Sequence, residues 1–178
     1  MSFIRTHVVV AGIVIFLIAA GVVGFFIFKK SYTVSAPQAI LRPLPDVVFK
    51  DMDGNTVAMA SFTGRPVILD IWTSWCQLCV PRISHLIALQ KEFGDKLVII
   101  EVNRGESLEI VKKYAEQIDT NHHLFFVLDA DDSLYRAIGG FSMPETLFVD
   151  KEGNIADHTR GPMGIIEIGR RIQDSFDL

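Results

Sequence analysis

The run Val67-Ile68-Leu69-Asp70-Ile71-Trp72 is apolar apart from one carboxylate. It shows no polar alternation, so neither of its faces can be left in water, and it reads as a strand buried on both sides. Such a strand needs packed layers above and below it, which points to an α/β architecture. Directly after it comes Thr73-Ser74-Trp75-Cys76-Gln77-Leu78-Cys79, which holds both of the chain's cysteines, and then a segment of helical periodicity. At a strand-to-helix junction, the helix N–H groups and the positive end of the helix dipole stabilise a thiolate on the first cysteine. The second cysteine is near enough to close a disulfide onto it. The chemistry this implies is thiol–disulfide exchange, which requires no cofactor.

The rest of the chain supplies the layers. Val47-Val48-Phe49 and Thr56-Val57-Ala58-Met59 flank the turn signal Asp53-Gly54-Asn55 and predict an N-terminal hairpin. A helix is expected over 76–93, stopped by Gly94, with Ile83, Leu86, Ile87 and Phe93 on its apolar stripe. Leu97 to Val102 is a second buried strand. Ser107 to Ile118 is a helix presenting Ile110, Val111, Tyr114 and Ile118. A strand at 124–128, a short helix at 133–138, paired strands at 146–149 and 154–159, and a last helix carrying Ile165, Ile168, Ile172 and Phe176 complete the pattern. The architecture expected is a central mixed sheet with helices on both faces, spanning residues 41–178.

The 178-residue chain has room for one such domain and an appendage. After a leader at 1–7, Val8 to Phe28 is an unbroken run of 21 apolar or glycine residues. At about 1.5 Å per residue it spans a hydrocarbon core of about 30 Å and predicts one transmembrane helix. A cleaved signal peptide is the competing reading, but its apolar region is usually only about 7–15 residues. Here Lys29-Lys30 closes the run, and Pro37 follows the only cleavage-like stretch, Val34-Ser35-Ala36. Residues 29–40 read as a linker. Arg5 on one side and Lys29 and Lys30 on the other leave the positive-inside count nearly balanced. Beyond Lys30 the chain carries 14 basic and all 21 acidic residues, a formal charge of −7. That excludes nucleic acid as an expected partner, because phosphate binding wants a basic surface. Two cysteines do not make a disulfide-stapled scaffold either.

Four stretches together resemble one family. They are 67–79 as quoted, Glu101-Val102-Asn103, the stretch Gly140-Phe141-Ser142-Met143-Pro144-Glu145-Thr146-Leu147-Phe148-Val149-Asp150-Lys151-Glu152-Gly153, and His158-Thr159-Arg160-Gly161. Over residues 40–178 the chain is similar to the thioredoxin fold, and within it to the membrane-anchored TlpA/ResA/CcmG (DsbE) group of extracytoplasmic thiol–disulfide oxidoreductases. The resemblance implies Cys76 as attacking nucleophile and Cys79 as resolving thiol. Pro144 corresponds to the family's cis-proline, with Met143 presenting its backbone to substrate, and Trp75 shapes the docking surface. Asp70 matches the buried acid of thioredoxins and could take the proton from Cys79. The implied partners are protein thiols and disulfides, such as the haem-binding cysteines of apocytochrome c, and a membrane electron donor or acceptor for recharging. The site would face an oxidising compartment, periplasmic or outer.

Several positions depart from the family's pattern. Asp70 stands where the TlpA-like group commonly has Asn, and Arg82 where that group commonly has an acid. Glu101 falls roughly where thioredoxins carry a lysine partner for the buried acid, so two carboxylates can couple there. Arg82 favours a Cys76 thiolate if it faces the pair. Pro81, read in the second turn of the helix, predicts a bend. Other readings stand beside these. Asp70 and Glu101 can be structural. A zinc site has only one CxxC and His85, His122, His123 and His158 to draw on, short of a recognisable ligand set, so no metal is expected. An oxidase or isomerase shares the same dithiol. A Sco-like copper-handling protein has three residues between its cysteines where this chain has two.

Overall fold

The computed structural model describes residues 41–178 apart from 120 and 177. The expected leader, anchor and linker all lie outside the described residues. Among the described residues no helix is long and apolar enough to cross a membrane.

Among the described residues eight strands form one sheet. They are β1 (Arg42–Pro43), β2 (Val48–Asp51), β3 (Thr56–Ala58), β4 (Val67–Trp72), β5 (Val98–Arg104), β6 (Phe125–Asp129), β7 (Glu145–Val149) and β8 (Asn154–Arg160), in the order β1-β8-β7-β4-β5-β6-β2-β3. β4, β5 and β6 run parallel and the other pairings are antiparallel. The parallel pairs need crossovers, which α1 (Cys79–Phe93) and α2 (Leu108–Ile118) supply. Two further helices follow, α3 (Ser133–Ala137) and α4 (Ile165–Phe176). The sheet is the expected mixed one, and the β2–β3 hairpin extends its β6 edge. The two-residue β1, paired with Asn154 and Ile155, carries no apolar alternation that would announce it.

Every residue of β4 is buried. Ile68 and Trp72 face a cluster built with Ile83, Leu86 and Leu89 of α1, while Leu69 and Ile71 face a second cluster with Leu134 and Tyr135. Trp72 packs against Tyr114 and Phe126, with ring centroids 6.3 and 6.0 Å away. In α2 the core-facing stripe is Leu108, Val111, Tyr114, Ala115 and Ile118, and Ile110 lies outside it, exposed. Positions 111, 114, 115 and 118 keep the i, i+3, i+4, i+7 spacing of a helical face, and 110 falls one residue short of it. Of the Phe125-Phe126 pair only Phe126 is buried; Phe125 packs edge-on against Phe62 with centroids 5.6 Å apart.

The first helix begins at Cys79, three residues later than its periodicity predicts. Residues 73–78 form turns instead, with Cys76 N–H bonded to the Thr73 carbonyl and Cys79 N–H to that of Cys76. Pro81 explains the late start. A helix from Cys76 would need an N–H at Pro81, whereas in a helix from Cys79 it is the third residue, whose N–H has no intrahelical partner anyway. Pro81 is therefore in the first turn and removes no helix bond, so the predicted cause for a bend is absent.

Candidate active site

β4 and β7 bring two loops to one end of the sheet. β4 ends at Trp72 and leads into the cysteine stretch, while β7 begins at Glu145, paired with Ile71, so Met143-Pro144 comes in across from Trp72-Thr73. Cys76 and Cys79 form a disulfide with Cα atoms 5.3 Å apart. Cys79, the first residue of α1, is fully buried, while Cys76 retains 6% exposure just ahead of the helix. Only Cys76 offers surface to an incoming group. Trp75, Leu78 and Phe141 are exposed large apolar side chains in the two loops, at 68, 58 and 78%. The Met143–Pro144 peptide bond is cis, and Met143 packs against the cluster that contains both cysteines.

Glu106 holds the loop before the cysteines. Its carboxylate accepts the Ser74 N–H at 2.7 Å, the Ser74 hydroxyl at 2.6 Å and the Asn103 side-chain amide at 2.7 Å. Nothing in the local sequence around Glu106 marks it as part of the site. The signal that could have found it is topological: β5 is parallel to β4, so residues after Asn103 arrive beside those after Trp72.

Asp70 on β4, Arg82 on α1 and Glu101 on β5 form a buried cluster of ionisable side chains, exposed by 0, 3 and 0%. Register places Asp70 beside Glu101 on β5 and Thr146 on β7. Arg82 from α1 is paired with Asp70, and the Thr146 hydroxyl donates to the same carboxylate at 2.9 Å. Arg82 thus turns to Asp70. Both Glu101 oxygens, Asp70 Oδ2 and two Arg82 nitrogens have no hydrogen-bond partner among the described residues. Burial pushes the Asp70 carboxyl up, against the lowering effect of Arg82. Burial, then the neighbouring Asp70 charge, pushes Glu101 well above its ordinary value.

A carboxyl raised on folding stabilises fully below its unfolded value of about 4.5, and loses that contribution as pH climbs through its folded value. Glu101→Gln is expected to remove this component, which falls by at most about 1.4 kcal/mol per pH unit for one proton. Urea unfolding of the oxidised protein across a pH series reads it. Parallel curves for variant and wild type would mean that Glu101 does not titrate with folding.

The second clamp lies around Pro144. Glu145, fully buried, accepts the Phe141 and Ser142 N–H groups at 2.9 Å each, and its other oxygen lies 2.7 Å from His158 Nε2. Burial lowers His158 below its ordinary value, and the bond to Glu145 opposes that. His122 is exposed and His123 bonds Asp119 at 2.8 Å.

The site is thus a buried disulfide that keeps 6% exposure at Cys76, with a cis-proline in the neighbouring loop. The Redoxin family profile matches residues 42–167. The chain belongs to the Redoxin family. Among its redoxin relatives, the thiol-disulfide oxidoreductase ResA of Geobacillus kaustophilus (strain HTA426) is 27% identical over 162 residues, covering 89% of this chain and 91% of that protein. ResA of Bacillus subtilis (strain 168) is likewise 27% identical, covering 90 and 86%. Among solved structures, a putative thiol:disulfide interchange protein DsbE from Chlorobium tepidum superposes with a TM-score of 0.69 at 20% identity, over 76% of this chain and 96% of that one. The pneumococcal lipoprotein thioredoxin Etrx1 from Streptococcus pneumoniae gives 0.65 at 26%, over 72 and 98%. This redoxin has the thioredoxin fold, falls in the TlpA/ResA/CcmG group and is a thiol–disulfide oxidoreductase.

Proposed function

We propose that the protein is a membrane-anchored reductant of selected protein disulfides, with Cys76 as nucleophile and Cys79 as resolving thiol. The observation that carries the role split is that Cys76 keeps exposed surface ahead of a helix start while Cys79 is sealed behind it. In the reduced enzyme the Cys76 thiolate attacks a substrate disulfide, forms a mixed disulfide and releases one substrate thiolate. Cys79 then loses its proton to the carboxylate cluster, with Asp70 as acceptor, and attacks the Cys76 sulfur. The second substrate thiolate leaves, and the enzyme is left as the Cys76–Cys79 disulfide. Met143 and Pro144 present backbone to the substrate, and Trp75 forms part of its rim. Arg82 and Glu101 modulate the proton step by setting the charge around Asp70.

Residues 8–28 anchor the domain of residues 41–178 through the linker at 29–40, on the extracytoplasmic side where disulfides persist. A membrane electron donor recharges it. Relatives named thiol-disulfide oxidoreductase support the exchange chemistry, and the haem-binding cysteines of apocytochrome c are the substrate this reading favours. The copper-handling alternative needs a histidine beside the two thiols. His158 is engaged by Glu145 instead, which favours the redox reading.

Equilibration of the Cys76/Cys79 couple against a glutathione series tests the direction. A potential near that of thioredoxin, about −270 mV, is expected; one near about −120 mV would make the protein an oxidant.

A further inference from the structure

The segment Phe141–Pro144 is fastened on both sides of Met143. Before it, Glu145 accepts the N–H groups of Phe141 and Ser142, and the Tyr135 hydroxyl donates to the Ser142 carbonyl at 2.7 Å. After it, the Pro144 carbonyl accepts the Gly161 N–H at 2.8 Å. Because a carboxylate only accepts, the His158 ring donates to Glu145 from Nε2. Arg160 adds a longer contact, Nε lying 3.8 Å from the same Glu145 oxygen that holds the loop, and its guanidinium sits over the Phe141 ring at 4.8 Å. A carboxylate removed from water is costly unless its lone pairs are filled. Here two of the groups that fill them are backbone N–H groups of the segment leading to Met143, so satisfying Glu145 and shaping that segment are one event.

We propose that Glu145, seated by His158, is a positioning residue that sets substrate preference: by holding the backbone ahead of Met143 it favours disulfides carried in an extended polypeptide over small disulfides. This rests on the reading that Cys76 attacks while a polypeptide docks along Met143. Preorganising the docking backbone removes an ordering cost that a peptide would otherwise meet on binding, and a small disulfide, which does not reach Met143, gains nothing from it.

The test uses the Cys79→Ser background and two probes with one leaving group: an octapeptide whose single cysteine is joined to 2-thiopyridine, and cysteamine joined likewise. Cys76 attacks the sulfur of either probe, releases 2-thiopyridone and keeps the probe as a mixed disulfide, so both rates are read by absorbance. The peptide is expected to react faster. Adding Glu145→Ala is expected to lower the peptide-to-cysteamine ratio about tenfold. Glu145→Gln is expected to stay within about threefold, since its amide oxygen still accepts both N–H groups and His158 can change tautomer to accept from the amide. Tyr135→Phe, which loses only a hydroxyl and decides the matter if the alanine variant does not fold, is expected to lower the ratio about threefold. A ratio unmoved in the folded alanine variant, or unmoved in Tyr135→Phe where that variant decides, would overturn the clamp. A glutamine variant as impaired as alanine would overturn the hydrogen-bond account of it. Equal rates for both probes before any second substitution would sink the docking reading instead.

Discussion

Cys76→Ser is expected to abolish disulfide exchange, whereas Cys79→Ser is expected to accumulate covalent adducts with substrate. The asymmetry comes from access and from chain order. Cys76 retains exposure where Cys79 has none, so a substrate sulfur reaches only the first. A hydroxyl at 76 cannot form the mixed disulfide, and the loss of turnover is of the size seen when a nucleophile is removed, several orders of magnitude. A hydroxyl at 79 leaves the first step intact and removes the group that ends it, so the mixed disulfide persists. Non-reducing electrophoresis with mass spectrometry of each variant separates the two outcomes. Absence of adducts in Cys79→Ser, with the protein folded and Cys76 reduced, would undo the assignment of roles.

Arg82→Ala is expected to cost about 3–5 kcal/mol of stability, the range found when one partner of a buried ion pair is removed. The reason is local. Asp70 and Glu101 stand side by side on adjacent strands, both fully buried, and Arg82 is the cation paired with Asp70. Without it the cluster keeps two carboxyls that burial already raises. Their neutral forms become the tolerated ones, so the deficit is expected to be smaller near pH 5 and to widen as pH rises. The Asp70→Asn/Arg82→Met pair is expected to recover much of the loss, because an apolar replacement of a whole buried ion pair is often close to neutral. Urea unfolding at the two pH extremes gives both numbers. A deficit below about 1 kcal/mol, or one independent of pH, would mean that water reaches the cluster and replaces the arginine.

Much of this site is legible in the amino-acid sequence. The continuous apolar run of β4 and the cysteine pair behind it specify both the layer architecture and the reactive centre. Arg82 is also within reach: it sits with Cys79, Ile83, Leu86 and Leu89 on the buried stripe of α1, where a charge has no place unless something answers it. What answers it is not the thiols but Asp70, the one carboxylate in the strand beneath that stripe. The bend expected at Pro81 depends on a helix boundary, and cap geometry rather than periodicity decides such boundaries.

What the sequence by itself determined was local and periodic: strand, turn and helix identities, the cysteine pair at a strand-to-helix junction and the apolar run expected to anchor the chain. Those follow from spacing between near neighbours, which sterics and burial translate directly into structure. What only the tertiary structure decided was which polar groups answer one another. Arg82 meets Asp70 across 12 residues, Ser74 meets Glu106 across 32, and His158 meets Glu145 across 13. No local propensity specifies those pairs. The first is imposed where α1 packs on β4, the second by the parallel β4–β5 register and the third by the antiparallel β7–β8 hairpin, and polar groups drawn out of water there must find a partner or go unsatisfied.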